Sequence, residues 1–191
     1  RNALKLKLTN GRTSISSLDG DITCGLHVDT TFSTSIDMDG GQATVAGSIG
    51  FTFNCANNVF SGFNVTDNLK ITAATAQLNG TFTVAENLTL AQATPGVDTS
   101  SVSLNGTANF AENAKVSGKS TVMSFNYTFN NVIINQMGTI VSGSANFTTT
   151  SSGAQGTWNY TGTITFLGND SAKVVINGAT YTVNLQSGTV S

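Results

Sequence analysis

His27 is the only histidine of the 191-residue chain, so any imidazole chemistry must pass through it. A zinc site with two imidazoles is excluded on that count. A nucleophile–histidine–carboxylate arrangement would draw on Cys24-Gly25-Leu26-His27-Val28-Asp29. The Gly-x-Ser-x-Gly turn that presents a serine nucleophile does not occur in the sequence. His27 alternates with Leu26 and Val28, which directs it outward from a strand. Glu86 and Glu112 are the other acid–base candidates. They hold equivalent places in a repeated decapeptide, and stacked repeats would bring two carboxylates together as glycoside hydrolysis requires. Equivalent polar residues of a repeat explain them equally well, and no aromatic platform surrounds them. The chain reads as non-enzymatic.

Calcium is the more plausible ion. Asp37-Met38-Asp39-Gly40-Gly41 and Asp19-Gly20-Asp21 supply alternating carboxylates with glycine, which are hard oxygen ligands on a tight turn. Neither run continues to the glutamate of a helix–loop–helix calcium loop, and aspartate before glycine is also ordinary turn chemistry. Asp37 and Asp39 are therefore a candidate calcium pair, and no other cofactor is expected. Cys24 and Cys55 are the only cysteines and read as one disulfide; the alternative is two small buried hydrophobes. Cys55 ends the run Val45, Gly47, Ile49, Phe51, Phe53, Cys55 on one strand face, and an oxidising compartment lets such a bond persist.

The elements that must carry these residues are strands. Period-two alternation runs through the chain, and no segment sustains the i, i+3, i+4, i+7 pattern of a helix. Leu78-Asn-Gly-Thr-Phe-Thr-Val-Ala-Glu-Asn87 recurs as Leu104-Asn-Gly-Thr-Ala-Asn-Phe-Ala-Glu-Asn113, identical at seven of ten places at a 26-residue offset. Val45–Thr52 is echoed in Val141–Thr148. Turns are expected at Asn10-Gly11, Asp39-Gly40-Gly41, Asn57-Asn58, Asn130-Asn131, Gly168-Asn169-Asp170 and Asn177-Gly178. The expected fold is one all-β domain over 1–191, an antiparallel β-meander forming a sandwich or rolled sheet. Its repeat units fall at about 45–90 and 102–150, with a C-terminal meander over 156–186. The starts Asn68-Leu-Lys-Ile71, Asn87-Leu-Thr-Leu90 and Asn113-Ala-Lys-Val116 make a parallel β-helix the alternative.

Charged residues are 9% of the chain, against about 25% in an average soluble protein. Net charge is −2 and the eight basic residues are scattered, so nucleic acid is excluded as a partner. No apolar run approaches the length of a membrane helix, whereas a membrane β-barrel shares the alternation seen here. No signal peptide is visible, which reads as a mature or trimmed form. Eight Asn-x-Ser/Thr sequons are close to what this composition produces by chance.

Gly156-Thr-Trp-Asn-Tyr-Thr-Gly-Thr-Ile-Thr-Phe166, the Gly-Asn-Asp turn, Ala172–Ile176, Asn177-Gly178 and Thr180–Leu185 resemble a loose class of secreted bacterial Gly/Thr/Asn-rich β-meander repeat proteins. That resemblance covers about the latter two-thirds of the chain and implies an exported β protein; it carries no functional residues across. Phe51-Thr-Phe-Asn-Cys55 and the early cysteine pair are also similar to a chaperone–usher-type pilin. Two departures separate the chain from that family: it runs 136 residues past Cys55, and Tyr181–Gly188 lacks the family's closing strand.

These readings converge on an extracellular, cell-surface or periplasmic structural protein whose partner is itself. Few Lys, Glu or Pro guard its strand edges, which leaves them open to strand addition in a filament, sheath or surface layer. Ala3–Thr9 is the candidate donor strand, through Leu4, Leu6 and Leu8. The alternative is an adhesin or carbohydrate-binding module for a cell-surface glycan. Trp158 and Tyr160 would stack on sugar rings there, although sharing a face with Ile164 and Phe166 assigns them to core packing.

Overall fold

The computed structural model describes residues 8–9, 12–13, 24–97 and 100–191. Two short strands, β1 (Leu8–Thr9) and β2 (Arg12–Thr13), pair with each other. The remainder is one sheet built from β3 (His27–Met38), β4 (Gly41–Ala56), β5 (Val59–Thr75), β6 (Leu78–Gln92) and β7 (Val102–Val116). It continues through β8 (Lys119–Ile134), β9 (Ile140–Gly153), β10 (Gly156–Gly168), β11 (Ser171–Ile176) and β12 (Ala179–Asn184). Strand order in space equals strand order in the chain, and β3 and β12 remain separate edges, so the sheet is open. Every neighbouring pair is antiparallel, as the meander reading expects and the β-helix alternative does not.

The turns explain the topology. Asn57 and Asn58 take φ of 53° and 63°, and Asn177 and Gly178 take 47° and 89°. Two consecutive left-handed residues match the twist of a two-residue hairpin, so each such turn returns the chain beside the strand it left. Asn130-Asn131 departs from expectation. Pairing continues past it to Ile134, and Asn131 with φ of 48° sits in a β-bulge of β8. A left-handed asparagine marks a turn or a bulge equally well, and only the cross-strand ladder separates them.

The two repeats also pair in an unexpected sense. Leu78–Asn87 lies in β6 and Leu104–Asn113 in β7, and they run antiparallel, so Glu86 faces Ala108 while Glu112 faces Phe82. Four residues of strand, about 13 Å, therefore separate the two glutamates along the strand direction. The shared decapeptide encodes two neighbouring strands rather than two stacked coils, and the Glu86–Glu112 pairing expected from stacking is not formed.

Cross-strand register divides the sheet into two chemically distinct faces. The line Val28, Phe51, Val65, Leu88, Gly106, Phe129, Ala145, Ile164, Val174, Tyr181 crosses all ten strands on one face. The line Thr31, Ser48, Asn68, Ala85, Asn109, Asn126, Thr148, Thr161 crosses eight strands on the other. One face is aliphatic and aromatic, and the other is a carpet of hydroxyls and amides.

No second layer lies over the apolar face among the described residues, for substantial packing occurs only between strands adjacent in the sheet. The antiparallel meander expected from the sequence as a sandwich or rolled sheet is, among the described residues, one open sheet of ten strands. Among the described residues, and apart from Val132, the enclosed hydrophobic side chains are alanines, such as Ala108, Ala145 and Ala172. The surface is 12420 Å², whereas a folded monomer of 19.7 kDa exposes about 8,600 Å².

Candidate functional site

The apolar face is the largest chemical feature of the molecule. Its aromatic rings lie down on the sheet: a Cβ built on Gly47 would meet the Phe32 ring at 2.9 Å, and one on Gly162 would meet the Phe147 ring at 2.6 Å. Rings thus fill the places where these glycines have no side chain, which half-buries the face without another layer. Tyr127 and Phe129 stack with ring centroids 6.3 Å apart. Toward the hairpin end of β9 and β10 the cover thins. Trp158 and Tyr160 are 40% and 42% exposed, so they are not the enclosed core pair that their phase with Ile164 and Phe166 indicates.

Three carboxylates interrupt this face. Asp67 and Glu86 sit directly opposite each other on β5 and β6, and Glu112 lies on β7 beside Phe82 and Met123. The Asp67 carboxylate accepts a hydrogen bond from the Glu86 backbone N–H at 3.0 Å. Partial burial among apolar neighbours, and then the charge of Asp67, push the Glu86 carboxyl above its ordinary value. Asp67 was the residue to find in the sequence. It falls in the same alternation as Val65 and Leu69, and a carboxylate in the apolar phase of a strand is the available signal.

His27 belongs to the polar face. Its Nδ1 lies 2.7 Å from Thr52 Oγ1 and its Nε2 lies 2.6 Å from Asp29 Oδ2. Hydroxyl, imidazole and carboxylate are in line, as in a nucleophile–base–orienter set. The His27 and Asp29 side chains are 54% and 65% exposed, however, and they stand on an open strand surface at the sheet edge. Such a position excludes no water and aims no donors at a developing oxyanion.

The candidate calcium pair stands at the β3–β4 hairpin. Asp37 ends its run on the polar face, within 3.5 Å of the Gln42 amide, and Asp39 is in the turn. Among the described residues no group of three or more His, Cys, Asp or Glu side chains gathers to hold a metal ion. Asp19 and Asp21 lie outside the described residues, as do Leu4 and Leu6 of the candidate donor strand. Leu8 falls in β1, where its backbone pairs with Thr13.

The two edges differ. On β12, Thr182 exchanges backbone hydrogen bonds with Ser191, and Asn184 N–H donates to the Thr189 carbonyl, so residues 189–191 cover the Thr182–Asn184 half of that edge. Among the described residues nothing covers β3, which has neither Pro nor Lys. It exposes Phe32, Ile36 and Met38. Cys24 and Cys55 form a disulfide at the open end of the β3–β4 hairpin, tying the edge strand to its partner β4.

The fold and its surfaces define an open, amphipathic, all-β meander whose β3 edge is bare among the described residues. No family model, curated protein or solved structure matches the chain. Among the described residues no helix is long and apolar enough to cross a membrane.

Proposed function

We propose that this chain is a non-enzymatic structural protein of the cell exterior that associates with copies of itself by strand addition. The observation that carries the proposal is the β3 edge: twelve residues of extended backbone, unpaired on one side among the described residues and lacking Pro and Lys. Such an edge offers a ready row of N–H and C=O groups to another strand. The Cys24–Cys55 bond supports an extracellular or periplasmic setting, where disulfides persist. With half of β12 covered, β3 is the longer open edge; two β3 edges meeting across a two-fold axis give a closed pair, and an assembly that grows further needs a second contact.

Thr31→Pro tests the reading. Phe53 N–H bonds to the Leu26 carbonyl, and alternation along the antiparallel ladder turns the Thr31 N–H away from β4. Proline there removes an outward donor and leaves the β3–β4 ladder intact. Edge-mediated assemblies of the unaltered chain, seen by electron microscopy and sedimentation velocity, are expected to be lost in the variant. Survival of every assembly in Thr31→Pro rejects addition at β3.

Exposure of Trp158 and Tyr160 on one strand favours a second reading, a binding surface for a neutral cell-surface glycan. Titration with glycans is then expected to shift the Trp158 indole resonance. An indole that does not respond rules this reading out.

A further inference from the structure

We infer that the apolar face is covered by the apolar face of a second copy, giving a two-layered sandwich whose outer surfaces are both hydroxyl and amide carpets. The inference rests on the reading of the chain as self-associating and assigns it a second, separate surface. Area supports a second copy as the occupant. Ten strands about 4.8 Å apart and some dozen residues long span on the order of 1,500–2,000 Å² per face. Two such faces bury about 3,000–4,000 Å², within the range of obligate homodimers. The residues outside the described set number 21. Fully extended side by side they would cover only about 350 Å².

Relief on the face supports the same occupant. At the β3–β4 hairpin end, one cross-strand line consists mainly of small residues, including Ala43, Ala73, Gly80 and Ala114. Eight residues further along the strands, one line holds Phe51, Leu88 and Phe129. A two-fold axis running across the strands sets the thick line of one copy over the thin line of the other. Lipid is the poorer occupant, because Asp67, Glu86 and Glu112 would face hydrocarbon from the middle of their strands.

Those carboxylates give the pairing a sign with pH. Facing Asp67 and Glu86 across the sheet are Ile49 on β4 and Ala108 on β7, both uncharged. The other charged groups in the register of this face are Glu112 on β7 and Lys119 at the start of β8. Burying Glu86 between copies favours its protonated form, so pairing tightens in acid.

Sedimentation equilibrium of the full chain decides the matter, with Val84→Lys placed at the centre of the face, Glu86→Gln beside it and Thr31→Pro at the edge. The expected result is a dimer that survives Thr31→Pro, weakens about a hundredfold in Val84→Lys, and tightens several-fold in Glu86→Gln at neutral pH. Trp158 emission should shift to the blue as the dimer forms. Circular dichroism checks that Val84→Lys is folded, and Glu86→Gln tests the same surface in the opposite direction. A dimer lost in Thr31→Pro and untouched by Val84→Lys and Glu86→Gln overturns the inference while strand addition stands. A wild-type chain that stays monomeric overturns both, and a monomer that sediments with detergent micelles replaces the second copy with lipid.

Discussion

Glu86 shows how one residue's environment sets a testable property. Its carboxyl is held above the ordinary 4.5 by loss of water contact first and by the Asp67 charge second. The folded state therefore keeps this proton where the unfolded chain releases it. Stability from this group is full below pH 4.5 and is lost as pH rises through the raised value. Urea unfolding across that window is expected to show stability falling with pH in the unaltered chain and a flatter profile in Glu86→Gln. Gly162 supplies a second case. A Cβ there would strike the Phe147 ring at 2.6 Å and also the Val175 carbonyl oxygen. Gly162→Ala is expected to cost about 1–3 kcal/mol in chemical denaturation, with loss of the Phe147 ring's ordered resonances.

β3 rests on a single partner strand, β4, among the described residues. The Cys24–Cys55 bond closes a loop across 31 positions of sequence at the mouth of that hairpin. Replacing both cysteines with serine is expected to cost about 3–4 kcal/mol. Amide exchange should rise most in β3, ahead of β6–β8; uniform loss of protection across the sheet would contradict this account of the bond. The strands themselves were legible in the sequence because alternation repeats over twelve or more residues in most of them. The hairpin at Asn177-Gly178 was legible because few residues accept two successive left-handed positions. The bulge at Asn131 was not, because the same preference serves a bulge inside a strand. Glu86 and Glu112 were visible as a pair, but their distance depended on whether the repeats run parallel or antiparallel.

The molecule as a whole is a chain of nearest-neighbour contacts, each strand packing on the strands before and after it. Its stability should therefore divide among adjacent pairs, as in repeat proteins. Removing residues 171–191 is expected to subtract the β11–β12 signal and leave β3–β10 paired, measured by circular dichroism and amide exchange. Collapse of the entire sheet would show coupling that the contacts do not contain. Composition and period two were enough to favour an antiparallel, disulfide-tied meander with one apolar and one polar phase over a parallel β-helix, because side-chain parity is a local property of extended backbone. The number of layers, the Asp67–Glu86 juxtaposition and the uncovered Trp158 were decided by register and by what lies above the sheet. Those are relations between distant residues, and alternation is the same whether the apolar phase meets a second sheet or none.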